Sequence, residues 1–522
     1  MSNTKTNSNK KQNSRYSGKG SRRINGSGNK NFKPDNRNNS QEVDMKAPAG
    51  NDASWYMRNG QLTKDVANFV YGNRLGDNLN IKLVEGIKDP MHVPGILTLD
   101  WMPTVAGLNI NNSASPLNMA ASQLYAYVVH ANSRNTKYDP ADLMMCVIAA
   151  SSVFAALGAG IRAYGIAKAS VQQNNTYLPT ALLKSLGFNG DDILRHLTEF
   201  RSNINVLISK ASVLWVPSNY DILKRWFFLN SHVYTDDNSP KAQLYAFKQS
   251  GYYIYNEKEY ETGTALTYKP VPDFNVTSYY DYVNDMLDKI LGATDMGMMM
   301  ADIMNAYGKD KLFWLGSLSE EYEVFPAYNL EVLHQIHNAI TILPGESGTA
   351  YDVVQTSNGV MQINAAGHIT CRSNTTAMEI AILDMLTPTV TPELNMVATR
   401  FTALARKLTT TTGSGLEYIT GTELVTNFHL ISHPDVYGGD WFFSSNDVYT
   451  EDAITSNEAK NIGLLSLFSC APFKYLIVNK GSAVGNCLIG YVGDFNNFTE
   501  VDTNELAKIH KTAMMSEFDI PM

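Results

Sequence analysis

The sequence predicts a mainly α-helical protein of the α+β class. One long stretch, from Pro140 to Lys168, has no charged residue between Leu143 and Ile161. Further helical segments follow one another through the first half of the chain, whereas short apolar strands occur towards its end. Because a helix that is apolar on every side has to be buried, we expect the long helix to lie at the centre of the fold.

The two ends of this long helix carry residues that helix ends favour. Asp139 is a suitable N-cap, and Pro140 suits the first helical position. Asp142 favours the positive end of the helix dipole, and Arg162 and Lys168 suit its negative end. At 1.5 Å per residue, the helix would be about 43 Å long.

The same stretch is long enough to cross a membrane, because about 20 apolar residues suffice. One side of it, however, consists of small and only mildly apolar residues, which favour close helix packing over contact with lipid. These residues are Ala149, Ala150, Ser151, Ser152, Ala155, Ala156, Gly158, Ala159 and Gly160. We therefore interpret the stretch as a core helix rather than a membrane span.

The charge of the 522-residue chain lies in two opposed blocks. Residues 1–40 contain ten Lys or Arg and one acidic residue, Asp35, which gives +9, so the remainder carries −17 of the formal total of −8. A hydrophobic fraction of 44% and a charged fraction of 18% are ordinary for a globular protein. The four cysteines have no C-x-x-C spacing, which indicates synthesis in a reducing, intracellular compartment.

Residues 1–52 are predicted to form a disordered basic arm that binds RNA. Polar residues and cations dominate there, so the segment cannot bury enough apolar surface to offset the entropy of ordering. Each cation can displace a counterion from a polyphosphate, which gives affinity without sequence specificity. The predicted RNA-binding residues are Lys5, Lys10, Lys11, Arg15, Lys19, Arg22, Arg23, Lys30, Lys33 and Arg37. A solubilising tail is the alternative, and the dispersed cations argue against a nuclear targeting signal.

Beyond the arm, the texture of the sequence divides the chain into three parts. Residues 53–340 predict a helical body, residues 341–470 a projecting region of strands and loops, and residues 471–522 two strands and a last helix. Helices are expected near 64–71, 115–130, 140–168, 178–184, 191–214, 220–230, 279–291, 294–307, 329–340, 392–407 and 502–515. Extended segments are expected at 96–101, 418–431, 475–478 and 487–491.

A run of tyrosines between residues 252 and 282 has two interpretations. Tyrosine is enriched where protein surfaces meet partners, because it offers a large contact area at little entropic cost. Packing in a hairpin or in the core is the other interpretation, and the sequence does not choose between them. The candidate dimer-interface residues are Tyr252, Tyr253, Tyr255 and Tyr260.

Histidines and acidic residues occur at spacings that superficially suggest metal sites. Glu331, His334 and His337 share a predicted helix, but a di-iron site would need a second such motif and two more glutamates. His429 and His433 lie four residues apart in a strand-like stretch, without the glutamate of a zinc peptidase. We expect ordinary hydrogen-bonded histidines, no metal and no cofactor. The chain also contains no phosphate-binding loop and no G-x-S-x-G motif, so an enzyme is not expected.

Several short motifs resemble, in their order along the chain, those of picobirnavirus capsid proteins. The resemblance covers residues 60–340 well, and residues 341–470 only by position and texture. The motifs are Pro94-Gly95-Ile96 with Asp100-Trp101 and Pro103, Tyr138 to Leu143, Leu178-Pro179, Gly187 to Asp191, Arg201 with Asn203 and Asn205, Val216-Pro217, Arg225-Trp226 and Leu333 to Ala339.

The resemblance implies a helical shell domain at 53–340, a smaller projecting domain with strands at 341–470, and C-terminal strands and a helix that return to the shell. It also implies a dimer that assembles into an icosahedral shell enclosing viral double-stranded RNA and polymerase. The location would be the virion after synthesis in the host cytoplasm, with transient contact with a host membrane during entry.

The alternative is a non-viral RNA-binding or enzymatic protein with a disordered basic tail. An RNA-binding domain would carry its basic residues on the folded body, whereas here the body carries −17. A jelly-roll coat protein does not fit the helical first half.

Overall fold

A computed structural model describes the chain at residues 54, 56–69, 95–105, 113–173, 177–237, 242–257, 264–340, 351–356, 358–363, 379–410, 413–431, 441–443, 463–472, 474–479 and 486–520. The chain divides into two units, Met1–Tyr71 and Gly72–Met522. The basic arm predicted at 1–52 lies outside the described residues. Within the first unit, helix α1 begins after Asn59, whose side chain accepts a hydrogen bond from the Leu62 N–H as an N-cap.

Helices account for most of the described residues before residue 340, as predicted. Their bounds are α1 Gly60–Ala67, α2 Pro116–Asn132, α3 Pro140–Gln173, α4 Tyr177–Ser185, α5 Gly190–Arg195, α6 Leu197–Ala211, α7 Asp221–Leu229, α8 Val276–Leu291, α9 Met296–Tyr307, α10 Leu330–His337, α11 Pro392–Ala398 and α12 Thr503–Glu517. The prediction of a mainly helical α+β fold is therefore confirmed.

Strands link distant parts of the chain. Their bounds are β1 Ile96–Pro103, β2 Val216–Pro217, β3 Tyr234–Thr235, β4 Leu244–Gln249, β5 Gly251–Asn256, β6 Ala265–Pro270, β7 Leu312–Phe313, β8 Ala327–Tyr328, β9 Val353–Gln355, β10 Met361–Ile363, β11 Ile380–Asp384, β12 Leu404–Thr410, β13 Gly413–Ile419, β14 Glu423–Ile431, β15 Trp441–Phe443, β16 Lys474–Asn479, β17 Asn486–Val492 and β18 Phe498–Asp502.

The largest sheet among the described residues has six strands in the order β15-β14-β1-β4-β3-β8. Strand β1 lies inside it, antiparallel to β14 with Ile96 opposite Ile431, and parallel to β4 with Ile96 opposite Leu244. A second sheet has the order β10-β9-β6-β5. Strand β1 has neighbours on both edges and is packed on both faces, so five of its apolar side chains are almost completely buried: Ile96, Leu97, Leu99, Trp101 and Met102.

These pairings bear on two sequence predictions. Strand β14, which belongs to the segment predicted to project, 341–470, pairs with β1 of the predicted body along its whole length. The helix expected at 392–407 ends at Ala398, and β12 begins at Leu404. Strand β12 pairs with β13, so tertiary hydrogen bonding overrides the helical pattern there.

Helix α3 is the predicted core helix, and it is longer than expected. It runs for 34 residues and contacts α2, α4, α6, α7, α8 and β5. Residues Pro140–Ala169 are long and apolar enough to cross a membrane by length and composition, but 94% of their most apolar window is buried inside the protein. The interpretation as a core helix is therefore confirmed.

The small residues of α3 allow neighbouring side chains to approach its backbone. A Cβ at Gly158 would lie 3.0 Å from the Phe227 ring, and one at Gly165 would lie 2.5 Å from Val324. At Gly160 the added atom would collide with the hydroxyl of Tyr279, which donates a hydrogen bond to the Ala156 carbonyl at 3.0 Å. These contacts explain why one side of the helix lacks larger side chains.

Arg162 has a different role from the one that its position predicted. The helix continues beyond it to Gln173, so its guanidinium lies in the core rather than at a helix end. It donates hydrogen bonds of 3.2 Å to the carbonyl oxygens of Leu229 and His232, at and just beyond the end of α7. Burial lowers the pKa of Arg162 to about 10, and the partial negative charge of the α7 carbonyls favours the cation.

We predict that Gly160→Ala destabilises the fold by about 1 to 3 kcal/mol, because the added methyl displaces Tyr279 and its hydrogen bond. Chemical denaturation of the unassembled chain would measure the change. The matched control is Gly297→Ala in α9, where a Cβ meets nothing within 4 Å. That variant should gain up to about 1 kcal/mol from helix propensity. Equal stability of the two variants would contradict the packing argument.

Candidate functional site

The described residues contain a buried polar network that joins segments far apart in sequence. We call it the polar junction and define it by its members, which are Arg225, Gln335, Arg400, Thr422, Glu423, His510 and Glu517. They come from α7, α10, the turn after α11, the start of β14 and α12. The junction therefore includes residues from all three parts into which the sequence analysis divided the chain beyond its arm.

Arg225 is the centre of the junction. Its Nε lies 3.3 Å from Oε1 of Glu423, and its Nη2 donates to Oε1 of Gln335 at 3.0 Å. The guanidinium carbon also lies 5.2 Å from the ring centroid of Phe401, at cation–π distance. The Glu423 side chain is 1% exposed and that of Arg225 is 14% exposed, so solvent screens this ion pair little.

Helix α12 contributes two titratable groups on the other side of the junction. Oε2 of Glu517 accepts a hydrogen bond of 2.8 Å from the buried Thr422 hydroxyl. His510 is fully buried, and its Nε2 donates to the Thr402 carbonyl at 2.9 Å. Gly421 leaves room for this ring, since a Cβ there would lie 3.0 Å from Nδ1.

Burial and neighbouring charges shift the pKa values of both groups. Burial, followed by repulsion from Glu423, raises the pKa of Glu517 to about 7, although Arg400 and Arg225 act against the shift. Burial and then the nearby charge of Arg400 lower the pKa of His510 to about 3. His510 is therefore neutral over the physiological range, and Glu517 is the junction member that titrates near neutrality.

A second buried network begins on α10, the helix that also carries Gln335 of the polar junction. The Nε2 of His337 lies 3.0 Å from Oδ2 of Asp384, and its Nδ1 lies 2.9 Å from the Ala471 carbonyl. Both ring nitrogens thus face oxygen acceptors, the Asp384 carboxylate and the Ala471 carbonyl. The other oxygen of Asp384 accepts two backbone N–H bonds of 2.9 Å, from Asn496 and Asn497.

The histidines considered in the sequence analysis are hydrogen-bonded members of the core, as expected where they are described. Nε2 of His334 accepts from the Leu386 N–H at 3.0 Å, and burial lowers the pKa of this histidine. His429 contacts Asp100 across β1 and β14, and His433 lies outside the described residues. In the described part of the chain, no group of three or more His, Cys, Asp or Glu could hold a metal ion.

The structure places the candidate interface tyrosines inside the chain's own core. Tyr252, Tyr253 and Tyr255 on β5 are 3%, 0% and 2% exposed. Tyr253 donates to the Pro103 carbonyl at 3.2 Å and packs edge-on against Tyr268, so the packing interpretation is the correct one. These three side chains present no surface to a second copy of the folded chain. Tyr260 and the ten predicted RNA-binding cations lie outside the described residues.

The sequence analysis named His337 and Arg225 but did not identify the two networks to which they belong. Arg225, Glu423 and Asp384 are charged residues beside apolar runs, and such charges are usually solvated. Their partners lie about 50 to 200 positions away, as with the 198-residue separation of Arg225 and Glu423. The position of a charged residue beside an apolar run could have indicated that the charge is buried, but it could not have identified the residue that pairs with it.

The two networks are built for structural roles. Their carboxylates and cations satisfy one another or backbone groups inside the protein, rather than converging on an open cleft. The cavity of about 460 Å³ between β5, β6 and the end of α8 is lined by Lys269 and Lys289, and both cations are paired with Asp285 at 2.8 and 3.3 Å. This cavity brings together no nucleophile and base.

Comparison with known proteins supports a structural role. Residues 55–364 match the family model described as "Picobirnavirus, Capsid protein". A "Capsid protein precursor" of Human picobirnavirus (strain Human/Thailand/Hy005102/-) is 24% identical over 514 residues, covering 90% of this chain and 91% of the relative. A solved structure, "X-ray crystallographic structure of the picobirnavirus capsid", shares the fold with a TM-score of 0.70, at 22% identity over 90% of this chain and 98% of that one.

The protein is therefore a viral structural protein of the virion and not an enzyme. Its family match spans more than half of the chain, and the chain belongs to the picobirnavirus capsid protein family. The family resemblance stated from the sequence is confirmed. The enzymatic and non-viral alternatives are set aside by the same findings.

We predict that Asp384→Ala costs about 3 to 5 kcal/mol of folding free energy, because it leaves the His337 ring and two backbone N–H groups without their acceptor. Urea unfolding followed by circular dichroism would measure the loss. Asp494→Ala, at an exposed position preceding the same loop residues, is the control and should change stability by less than about 0.5 kcal/mol. A loss for Asp384→Ala no larger than that of the control would contradict the stabilising role of the Asp384 network.

The second prediction concerns Glu517, whose raised pKa makes the fold favour its protonated form. The stabilisation of the fold by protonated Glu517 is fully present below the pKa of the unfolded chain, near 4.5, and is lost as the pH rises through about 7. Glu517→Gln keeps the hydrogen-bond partner for Thr422 but cannot ionise. We therefore expect the variant to gain stability relative to the unmodified chain between pH 5 and pH 8. Thermal unfolding across that range would test this, and parallel pH profiles would refute it.

Proposed function

We propose that the protein dimerises and assembles into a closed icosahedral shell around double-stranded RNA, and that its basic N-terminal arm binds this RNA without sequence specificity. The observation that carries the proposal is the charge division of the sequence. The arm has +9 whereas the rest of the chain has −17, so a polyanion inside the shell would be attracted by the arm and repelled by the body.

The fold supports assembly as the proposed role of the body. The larger of two hydrophobic clusters among the described residues includes α3 and the six-stranded sheet, and the two buried networks tie the C-terminal segments to it. A shell subunit has to transmit contacts from all sides without deforming, and a closely packed interior meets that need. In this proposal the helical body forms the shell wall, part of 341–470 projects from it, and residues 471–522 return to the wall.

Two further partners belong to the same proposal. The enclosed volume would hold the viral polymerase together with the RNA, and the particle would contact a host membrane transiently during entry. Both are what the resemblance to picobirnavirus capsid proteins implies, and the family match supports them only through the capsid role. A closed shell also needs at least one self-complementary two-fold contact, which makes a dimer the natural building block.

We predict that the purified chain forms closed shells of uniform size that contain nucleic acid irrespective of sequence, and that removing residues 1–45 yields shells without cargo. Electron microscopy and the ratio of absorbance at 260 and 280 nm would measure both. For the free arm, log affinity should fall linearly with log salt, with a slope of up to about −9 if all ten cations contact phosphates.

The matched control for this prediction replaces the ten arm cations by Gln, which keeps the length of the arm but removes its charge. It should package as little nucleic acid as the truncated chain. If either variant packages as much RNA as the unmodified chain, then the arm is not the RNA-binding element. If the unmodified chain forms no shells under any condition, the assembly proposal itself fails.

A further inference from the structure

We propose that a second copy of this chain docks on the segment 309–321 in a two-fold contact centred on Trp314. This inference rests on the proposed self-assembly and names one of its contact surfaces. Trp314 is 65% exposed, and aromatic residues are enriched at protein–protein interfaces relative to the rest of the surface. Tryptophan is also among the residue types that contribute most to binding energy at interface centres.

Trp314 directly follows a strand that packs against the core. Strand β7 pairs with β2, with Phe313 opposite Val216. The Phe313 ring packs inward against Phe154 and Phe227, with ring centroids 5.1 and 5.4 Å apart. The next side chain, Trp314, is left outside this packing, as its 65% exposure shows.

The segment that contains Trp314 is anchored to helix α6, which carries exposed apolar side chains of its own. Val206 is 50% exposed, and Val213 just after the helix is 49% exposed. The side chain of Asn205 holds the segment after Trp314 on this helix, accepting from the Leu318 N–H at 2.6 Å and donating to its carbonyl at 3.2 Å. The surface is therefore held in place before any partner binds, which lowers the entropic cost of docking.

The charged residues before and after Trp314 are of opposite sign, and this pattern favours a second copy of the chain as the binding partner. Exposed Lys309 and Lys311 precede the tryptophan, with Asp310 between them, and exposed Glu320 and Glu321 follow it. In a two-fold contact the segments of the two copies run antiparallel, so the basic end of each would face the acidic end of the other. The segment is thus complementary to a second copy of itself.

An RNA or an anionic membrane fits this surface less well. Both are polyanions, and Glu320 and Glu321, which follow Trp314 by six and seven residues, would repel them. The ion pair of Glu320 with Arg201 is long at 3.9 Å, and the Glu320 side chain is 68% exposed, so its charge remains available to a partner.

The first experiment measures the dimer dissociation constant by sedimentation equilibrium, under salt or pH conditions that dissolve shells. The unmodified chain should sediment at about twice its mass of 57.8 kDa. Trp314→Ala should raise the dissociation constant at least about 10-fold. Phe498→Ala is the matched control, since it removes an aromatic side chain of similar exposure, 60%, from β18. It should leave the constant within about twofold of that of the unmodified chain.

The second experiment uses charge reversal to separate direct contact from damage to the fold. Lys309→Glu and Glu321→Lys should each weaken the dimer severalfold at low salt, because each creates like-charge pairs across the two-fold axis. The doubly substituted chain should regain dimerisation to within about twofold, since the pairs are then reversed rather than broken. Circular dichroism and thermal unfolding of all variants should match those of the unmodified chain, because both positions are exposed.

Three results would overturn the inference: unchanged dimerisation of Trp314→Ala, an equal loss in Phe498→Ala, or failure of the double reversal to restore the dimer. These results differ from a failure of the proposed function. If the unmodified chain forms neither dimers nor shells, self-assembly itself is refuted. If it forms both while the Trp314 variants do so equally well, only the location of the contact is wrong.

Discussion

The burial of α3 on every side is the constraint on which the rest of the structure depends. An apolar helix of 34 residues would be insoluble alone, so other elements have to enclose it. Helices α2, α6, α7 and α8 and strand β5 do this, and the small residues of α3 set how closely they approach. The one buried cation of α3, Arg162, then binds the carbonyl end of α7 and fixes that helix relative to the core.

Around this apolar centre, buried charges determine where the later parts of the chain attach. The polar junction joins α7 to β14 and α12, and the His337–Asp384 pair joins α10 to β11 and the loop before β18. Breaking one partner of such a network leaves a charge without solvation, so alternative arrangements of the C-terminal segments are strongly disfavoured. For a coat protein, this gives a single subunit shape from segments widely separated in sequence.

The sequence was informative where local pattern and tertiary packing agree. The long helix, the strand at Ile96 and the last helix were predicted, because capping and periodicity act over a few residues. The helix expected at 392–407 was wrong in its second half, because Leu404 begins a strand stabilised by pairing with Ile419. The sequence left two interpretations of Tyr253 open for a similar reason, since its burial depends on strands that are remote in sequence.

By itself, the sequence determined the helical class, the opposed charge blocks and, through ordered motifs, the family. These features depend on composition and on patterns among residues that are close in sequence. Only the tertiary structure decided that β14 lies beside β1, that three tyrosines belong to the core, and that Trp314 remains outside it. Strand partners and burial depend on contacts between residues hundreds of positions apart. No local pattern encodes them, because chain reversals and packing bring those residues together only in the folded protein.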